Sequence, residues 1–443
     1  MACALLAAAC AAPGGADHGS DTGLGDSGGD APIASVAVAP TDRVPTVLRV
    51  TWTTPTPTLG QVEYGPDLSY GAATPLEEQP TTAHEALLYG MPAEAEVHLR
   101  IVAEADGARL LGEDVVAWTD PLRAAMASTS ASGETDQFTV TTLLGTNWMP
   151  TIFDPQGRVV WSVSVDVNNG MLFRTRLGRD GRSVLYGIDG VVGGQVVRVG
   201  WDGTEIEAID APSFSHDFVE TDDGALAWLS LEETKVDGAV ARGDTIVERG
   251  ADGTERVVWS AWDSLVPGEI VDGDWTHGNV LEFDETRQVY QVSLRNLSII
   301  LEIDRATGAV LWSFGGAGAS VVVDAASTAP TQQHGFELTS DDRLLVFDNG
   351  PVERAASAVR EYHLDLVDGT ASETWSHSLD PAVFGYALGD VTELPDGDLL
   401  IAWSSAGLLE RVDRDGAASF QVQGSLGTGL GYITAADLIA PIW

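Results

Sequence analysis

His216-Asp-Phe-Val-Glu-Thr-Asp-Asp-Gly224, His277-Gly-Asn-Val-Leu-Glu-Phe-Asp284, His334-Gly-Phe-Glu-Leu-Thr-Ser-Asp-Asp342 and Asp390-Val-Thr-Glu-Leu-Pro-Asp-Gly397 are four copies of one phrase. Each opens with a polar residue, continues through an apolar pair and ends in an acidic turn. The openings are spaced 61, 57 and 56 residues apart. A second phrase, a glycine turn and then a strand ending in Trp-Ser, recurs at Gly157…Trp161-Ser162, Gly253…Trp259-Ser260, Gly308…Trp312-Ser313 and Gly369…Trp375-Ser376. Two further units with weaker openings precede these, near 137–165 and 170–210. Six units, each long enough for four short strands, predict the blades of a β-propeller. A linear β-solenoid has shorter repeats.

The rest of the chain agrees with an all-β protein. Of 443 residues, 49 are Gly and 20 are Pro, which supplies the turns that many short strands need. Hydrophobic residues are 44% and charged residues 20%, so a large core is expected and disorder is excluded for the bulk of the chain. The net charge is −43, and Lys235 is the single lysine. Such a surface repels phosphate backbones and excludes nucleic acid as a partner. Both cysteines, Cys3 and Cys10, lie at the extreme N-terminus, so no cysteine chemistry is expected in the folded body. No apolar run reaches the ~18 residues that span a bilayer. The sequence leaves the oligomeric state open.

Before the repeats, four regions are expected. Residues 1–12 resemble the end of a bacterial lipoprotein signal peptide, which implies export to the periplasm or outer cell envelope and a lipid on Cys10. Membrane contact is expected only through that lipid. Residues 13–32, rich in Gly, Asp, Ser and Thr, read as an acidic flexible linker. Residues 33–120 alternate with period two around Val47-Leu-Arg-Val-Thr-Trp52 and resemble a fibronectin type III-like β-sandwich with Trp52 in its core. His84 and His98 there are read as structural. Residues 121–136 read as a second linker, and 137–443 as a propeller able to fold on its own.

Three of the eight histidines, His216, His277 and His334, hold the same repeat position. That position opens the innermost strand, whose end rings the mouth of the central channel. Three imidazoles are therefore expected to converge. Asn279, two residues past His277, should face the same side of its strand. Arg295 is expected on the neighbouring strand, where it needs either a bound anion or an acidic partner. Three histidines also suit a metal, but the fixed charge of Arg295 opposes a cation and favours an oxyanion held by Arg, His and Asn.

Longer stretches are similar to one family. Asp274-Trp275-Thr-His277-Gly-Asn279, Ser293-Leu-Arg295, and Ile303-Asp304-Arg-Ala-Thr-Gly308-Ala-Val-Leu-Trp312-Ser-Phe-Gly-Gly316 resemble the bacterial arylsulfate sulfotransferases. Gln332-Gln-His334, Leu344-Leu-Val-Phe-Asp348-Asn-Gly350, Arg354…Ser357…Arg360-Glu-Tyr362 and Leu394-Pro-Asp-Gly-Asp-Leu-Leu continue the resemblance. It covers 137–443 and is strongest from 272 to 403. It implies a six-bladed propeller behind a β-sandwich and nucleotide-independent sulfuryl transfer between phenols through a sulfohistidine, with no cofactor. By position it makes His334 the nucleophile. His216, His277, Asn279 and Arg295 would surround the sulfuryl group, with either His216 or His277 as acid and base. Gly335 stands where the family often has an acidic residue. A non-catalytic ligand- or partner-binding propeller and an aryl sulfate hydrolase are the other readings.

Overall fold

The computed structural model describes residues 33–123, 129–145, 148–167, 170–189, 193–267, 273–339, 341–424 and 429–436. Cys10, the leader-like segment 1–12 and the acidic linker 13–32 lie outside the described residues.

The N-terminal unit is built on one 18-residue strand, Leu48–Gly65. Its first half pairs with Ala34–Pro40 and Thr81–Leu88, and its second half with Ala72–Ala73 and Glu96–Ala105. The change of partner falls at Thr54-Pro55-Thr56-Pro57, where two prolines have no N–H to donate to a ladder. Residues from both halves, including Leu48, Val50, Trp52, Val62 and Tyr64, share one core. His84 is buried in it, stacked on Trp52 and bonded to Glu77 at 2.8 Å. His98 bonds Asp114 at 2.9 Å. Both histidines tie this unit together.

Six sheets follow, each with four antiparallel strands. Blades two to four are continuous in sequence, running from Met171–Leu177 to Glu205–Asp210, from Phe214–Glu220 to Glu255–Ser260 and from Gly278–Asp284 to Val310–Gly315. Blade five runs from Phe336–Leu338 to Thr370–His377, and Val322–Val323 joins its outer edge in parallel. Each opening phrase lies at or next to an innermost strand, and each Trp-Ser phrase on the fourth strand out from the axis. The tryptophans of that second phrase pack between blades, with Trp161, Trp259 and Trp312 buried.

Two separate strand additions close the ring. Gly429–Ala436, near the C-terminus, is the innermost strand of blade one, beside Phe138–Leu144. Thr129–Gly133 is an extra outer strand on blade six, paired with Ala418–Gly424. The expectation of a linker over 121–136 is corrected here. Thr-Ser-Ala-Ser-Gly pairs through its backbone alone and buries almost no side chain, so it lacks the alternation that marks a strand. Its Gly133 is at φ 75°, and a Cβ there would come within 2.0 Å of the Ser419 carbonyl.

The propeller is also not separate from the sandwich. Val44, Val47 and Tyr89 belong to the same core as Phe138, Val140, Trp161 and Trp201. Tyr89 stacks on Trp201 at 4.2 Å, and Arg49 pairs with Asp202 at 2.7 Å.

Candidate active site

The histidines reach the channel through unusual backbone. His216 is at φ 61° and His277 at φ 53°, left-handed conformations that L-residues avoid but that histidine tolerates better than most. The ladder slips in register beside each, between Phe214 and Phe218 and between Gly278 and Val280. Bulges of this kind re-aim side chains. Around His277, the Thr276 hydroxyl and the Gly278 N–H both donate to the buried carboxylate of Asp244, which fixes the loop.

The three rings line one cavity of about 750 Å³. The His216 and His277 rings are 4.8 Å apart, and Phe173 lies 4.4 Å from His216. His277 Nδ1 meets Asp274 Oδ2 at 2.6 Å, and His216 Nδ1 meets Ser215 Oγ at 2.7 Å. His334 is 1% exposed, and its Nδ1 lies 2.7 Å from Asn349 Oδ1. The Asn349 amide donates to the carbonyls of Gly385 and Leu388 at 2.8 and 2.9 Å. With both amide hydrogens engaged, Oδ1 accepts. His334 therefore carries its proton on Nδ1 and leaves the Nε2 lone pair free.

Burial pushes the His334 pKa down to about 3. The charges of Arg295 and His277 add to this, and the Asn349 bond opposes it. His216 is held well below the ordinary histidine value, again by burial first and then by His277, His334 and Arg295. Both imidazoles are neutral at pH 7.

Arg295 is the first residue of a short 3₁₀ turn, Arg295–Leu297, just past the strand Val289–Leu294 and not within it. Its N–H still donates to the His277 carbonyl at 3.0 Å, and the Ser298 N–H closes the turn onto the Arg295 carbonyl at 3.1 Å. The guanidinium meets only neutral oxygens, those of Asn296, Gln332 and the Tyr386 carbonyl, at 3.0, 3.4 and 3.3 Å. Among the described residues it makes no ion pair, so its charge remains available to an anion. It sits at the edge of the cavity.

Asn279 lies off the cavity wall. It is fully buried, its amide donates to the Gln333 carbonyl at 2.8 Å, and its Oδ1 has no protein partner. It thereby braces the residue before His334. Gly335 is explained by Asp390, since a Cβ at 335 would come 1.9 Å from that carboxylate. Asp390, on the inner strand of blade six, occupies the space beside Gly335.

Sequence reasoning assigned no role to Asn349, Asp274, Phe173 or Tyr386. Asp274 gave a readable signal, a carboxylate three residues before a histidine. Tyr386 gave none, because 378–389 has no strand periodicity. It also missed the charged layer beneath the cavity. Arg174, 3% exposed, bonds Glu282 at 2.6 Å and Asp390 at 2.9 Å, lies 3.4 Å from Asp217, and sits 4.9 Å over the Tyr432 ring.

A family model described as Arylsulfotransferase (ASST) matches residues 125–425. No curated protein matches the chain. Among solved structures, a Bacteroides caccae protein of unknown function is 15% identical, covering 68% of this chain and 99% of its own, with a TM-score of 0.46. TolB from Acinetobacter baumannii is 13% identical, covering 79% and 81%, with a TM-score of 0.45. A periplasmic gluconolactonase of Pseudomonas aeruginosa is 15% identical, covering 86% and 99%, with a TM-score of 0.43. None of these three bears on what the present chain does. The family match begins just before the outer strand Thr129–Gly133 and ends just after Ala418–Gly424, taking in every blade strand except Gly429–Ala436, and so the chain belongs to the arylsulfotransferase (ASST) family.

Proposed function

We propose that the protein moves a sulfuryl group from an aryl sulfate ester to a phenolic acceptor through a sulfohistidine at His334, without a nucleotide donor or a cofactor. The observation that carries this is the His334–Asn349 bond, which leaves a neutral imidazole with its Nε2 lone pair free. Family membership supports aryl sulfotransfer in general.

In the first half-reaction, the His334 Nε2 lone pair forms a bond to sulfur as the bond from sulfur to the phenol oxygen breaks. The leaving oxygen takes a proton from His277, whose Nδ1 meets the Asp274 carboxylate at 2.6 Å. In the second, the acceptor phenol returns a proton to His277 and attacks sulfur, and the S–N bond breaks. His277 is assigned this role over His216 because a carboxylate partner suits a ring that must carry charge in turn. His216 is held neutral and donates a hydrogen bond to a peripheral oxygen. Arg295 neutralises charge on the same oxygens, as in phosphoryl transfer. Asn279 is a positioning residue behind Gln333. Phenols and their sulfates are the small-molecule partners.

In the same reading the protein is exported and anchored by a lipid on Cys10. The unit before the propeller is fibronectin type III-like, on the strength of its core around Trp52.

The test is incubation with an aryl sulfate and no acceptor. A burst of phenol and a sulfuryl adduct on the His334 peptide are expected, and His334→Asn should lose both. Arg295→Ala should lower turnover by about 10²–10³-fold. An adduct on His216 or His277 overturns the assignment. Continuous phenol release without acceptor identifies a hydrolase, and no release at all identifies a binding protein.

A further inference from the structure

Residues 385–389 link blades five and six, and all five of their carbonyls accept hydrogen bonds from groups in or around the site. Gly385 and Leu388 accept from Asn349, and Tyr386 accepts from Arg295. Ala387 accepts from the Ser404 hydroxyl, and Gly389 from the N–H of Gly335 beside the nucleophile. The carbonyls of this segment are thus all engaged on the catalytic side. The Tyr386 side chain is left on the cavity wall, yet 67% exposed, more than any other large aromatic among the described residues.

The walls of the same cavity carry Leu144, Trp148, Met171 and Phe173 from blades one and two. At about 750 Å³ it falls in the upper part of the range of roughly 300–1,000 Å³ that encloses multi-ring ligands. Among the described residues no lysine or arginine lies on the wall, and Arg295 at its edge serves the sulfuryl group. A second anionic substituent would find no arginine or lysine of its own there and would face the field of a chain with net charge −43.

We propose that Tyr386 is the platform for the substrate ring, and that the preferred substrates are uncharged phenols of two or more rings and their sulfate esters. This rests on the sulfuryl-transfer reading. One residue then sets two positions. Its ring takes the aromatic plane of the substrate, and its carbonyl holds the guanidinium that receives the sulfuryl oxygens, so ring and anion are placed in register.

The experiment compares phenyl sulfate, 2-naphthyl sulfate and a carboxylated naphthyl sulfate as donors to one fixed phenol. The wild-type protein should prefer 2-naphthyl sulfate in kcat/KM and discriminate against the carboxylated donor. Tyr386→Ala should lose about three- to tenfold more on the naphthyl than on the phenyl donor, mainly in KM, and Tyr386→Phe should restore the preference. Equal loss on both donors, or no naphthyl preference in the wild type, overturns the proposal. If the wild-type protein transfers no sulfuryl group, the functional reading fails first. The platform is then tested by binding of 2-naphthol, followed through its own fluorescence. Three- to tenfold weaker binding by Tyr386→Ala supports it, and unchanged affinity overturns it.

Discussion

At the scale of single residues, the site depends on which nitrogen of His334 holds the proton. Asn349 decides this by accepting from Nδ1 while both of its amide hydrogens are held by carbonyls. Asn349→Ala should slow the phenol burst by about 10²-fold, the loss expected when a reacting atom is misplaced by an ångström or so. Asn349→Asp keeps an acceptor at the same place but adds a negative charge, which favours the imidazolium and raises the His334 pKa. Protonation of His334 should not slow the wild-type burst between about pH 8 and about pH 5, because a nucleophile with a pKa of about 3 remains neutral throughout. In Asn349→Asp the acid limb should move to higher pH, and an unmoved limb would show that another group sets it. The same depressed pKa makes stability fall with pH. Below about 6.5 the unfolded histidine binds a proton that the folded one refuses, and the loss is complete near pH 3. His216, His277 and His334 were legible in the sequence because the repeat register put them in one place. Asn349 was not legible as a partner. It follows the strand Arg343–Asp348, and only the pairing of that strand with Phe336–Leu338 sets it beside His334. Arg295 was found but placed on a strand, since no residue type marked the turn at which it leaves the ladder.

At the scale of elements, the inner strands are locked together by charge as well as by ladders. Arg174 of blade two reaches Asp217 of blade three, Glu282 of blade four and Asp390 of blade six, and lies over Tyr432 of blade one. Removing this cation takes from the buried Asp390 its ion pair among the described residues and leaves Asp217 and Glu282 with Arg176 alone. Arg174→Met should therefore destabilise the protein by about 3–5 kcal/mol, seen in urea unfolding at neutral pH. A change within about 0.5 kcal/mol would mean that the carboxylates take up protons at little cost. Asp390 has its pKa raised to about 6 by burial, with Arg174 opposing, so it is the first expected to do so. Glu282 and Asp390 stood in the opening phrases in plain view. Their acidic character looked like ordinary turn chemistry, because the arginine that they meet comes from a blade with a weak opening. Thr129–Gly133 was illegible for the opposite reason, being a strand that no side-chain pattern marks.

At the scale of the whole molecule, the sandwich is part of the propeller's first core. A chain of residues 125–443 exposes the patch that Val44, Val47 and Tyr89 cover. Each such side chain contributes about 1.5–3 kcal/mol when fully buried. The shortened protein should fold with a lower Tm than the full chain, and an unchanged Tm would show that the shared core adds nothing. The six-fold repetition was legible because four openings recur at nearly constant spacing and the Trp-Ser phrase recurs four times. The shared core was not, since Tyr89 and Trp201 look like ordinary residues of their own domains until they stack.

The innermost strand of blade one, Gly429–Ala436, has a consequence for when the protein becomes competent. Gly429 lies on the cavity wall and the Tyr432 hydroxyl donates to the Asn279 carbonyl, while the other strands of that blade were made nearly 300 residues earlier. A growing chain can lay down five blades and all three histidines and still have a gap where the ring should close. The reaction chamber is assembled last, and a polypeptide interrupted before this strand holds the catalytic side chains without the chamber that aligns them.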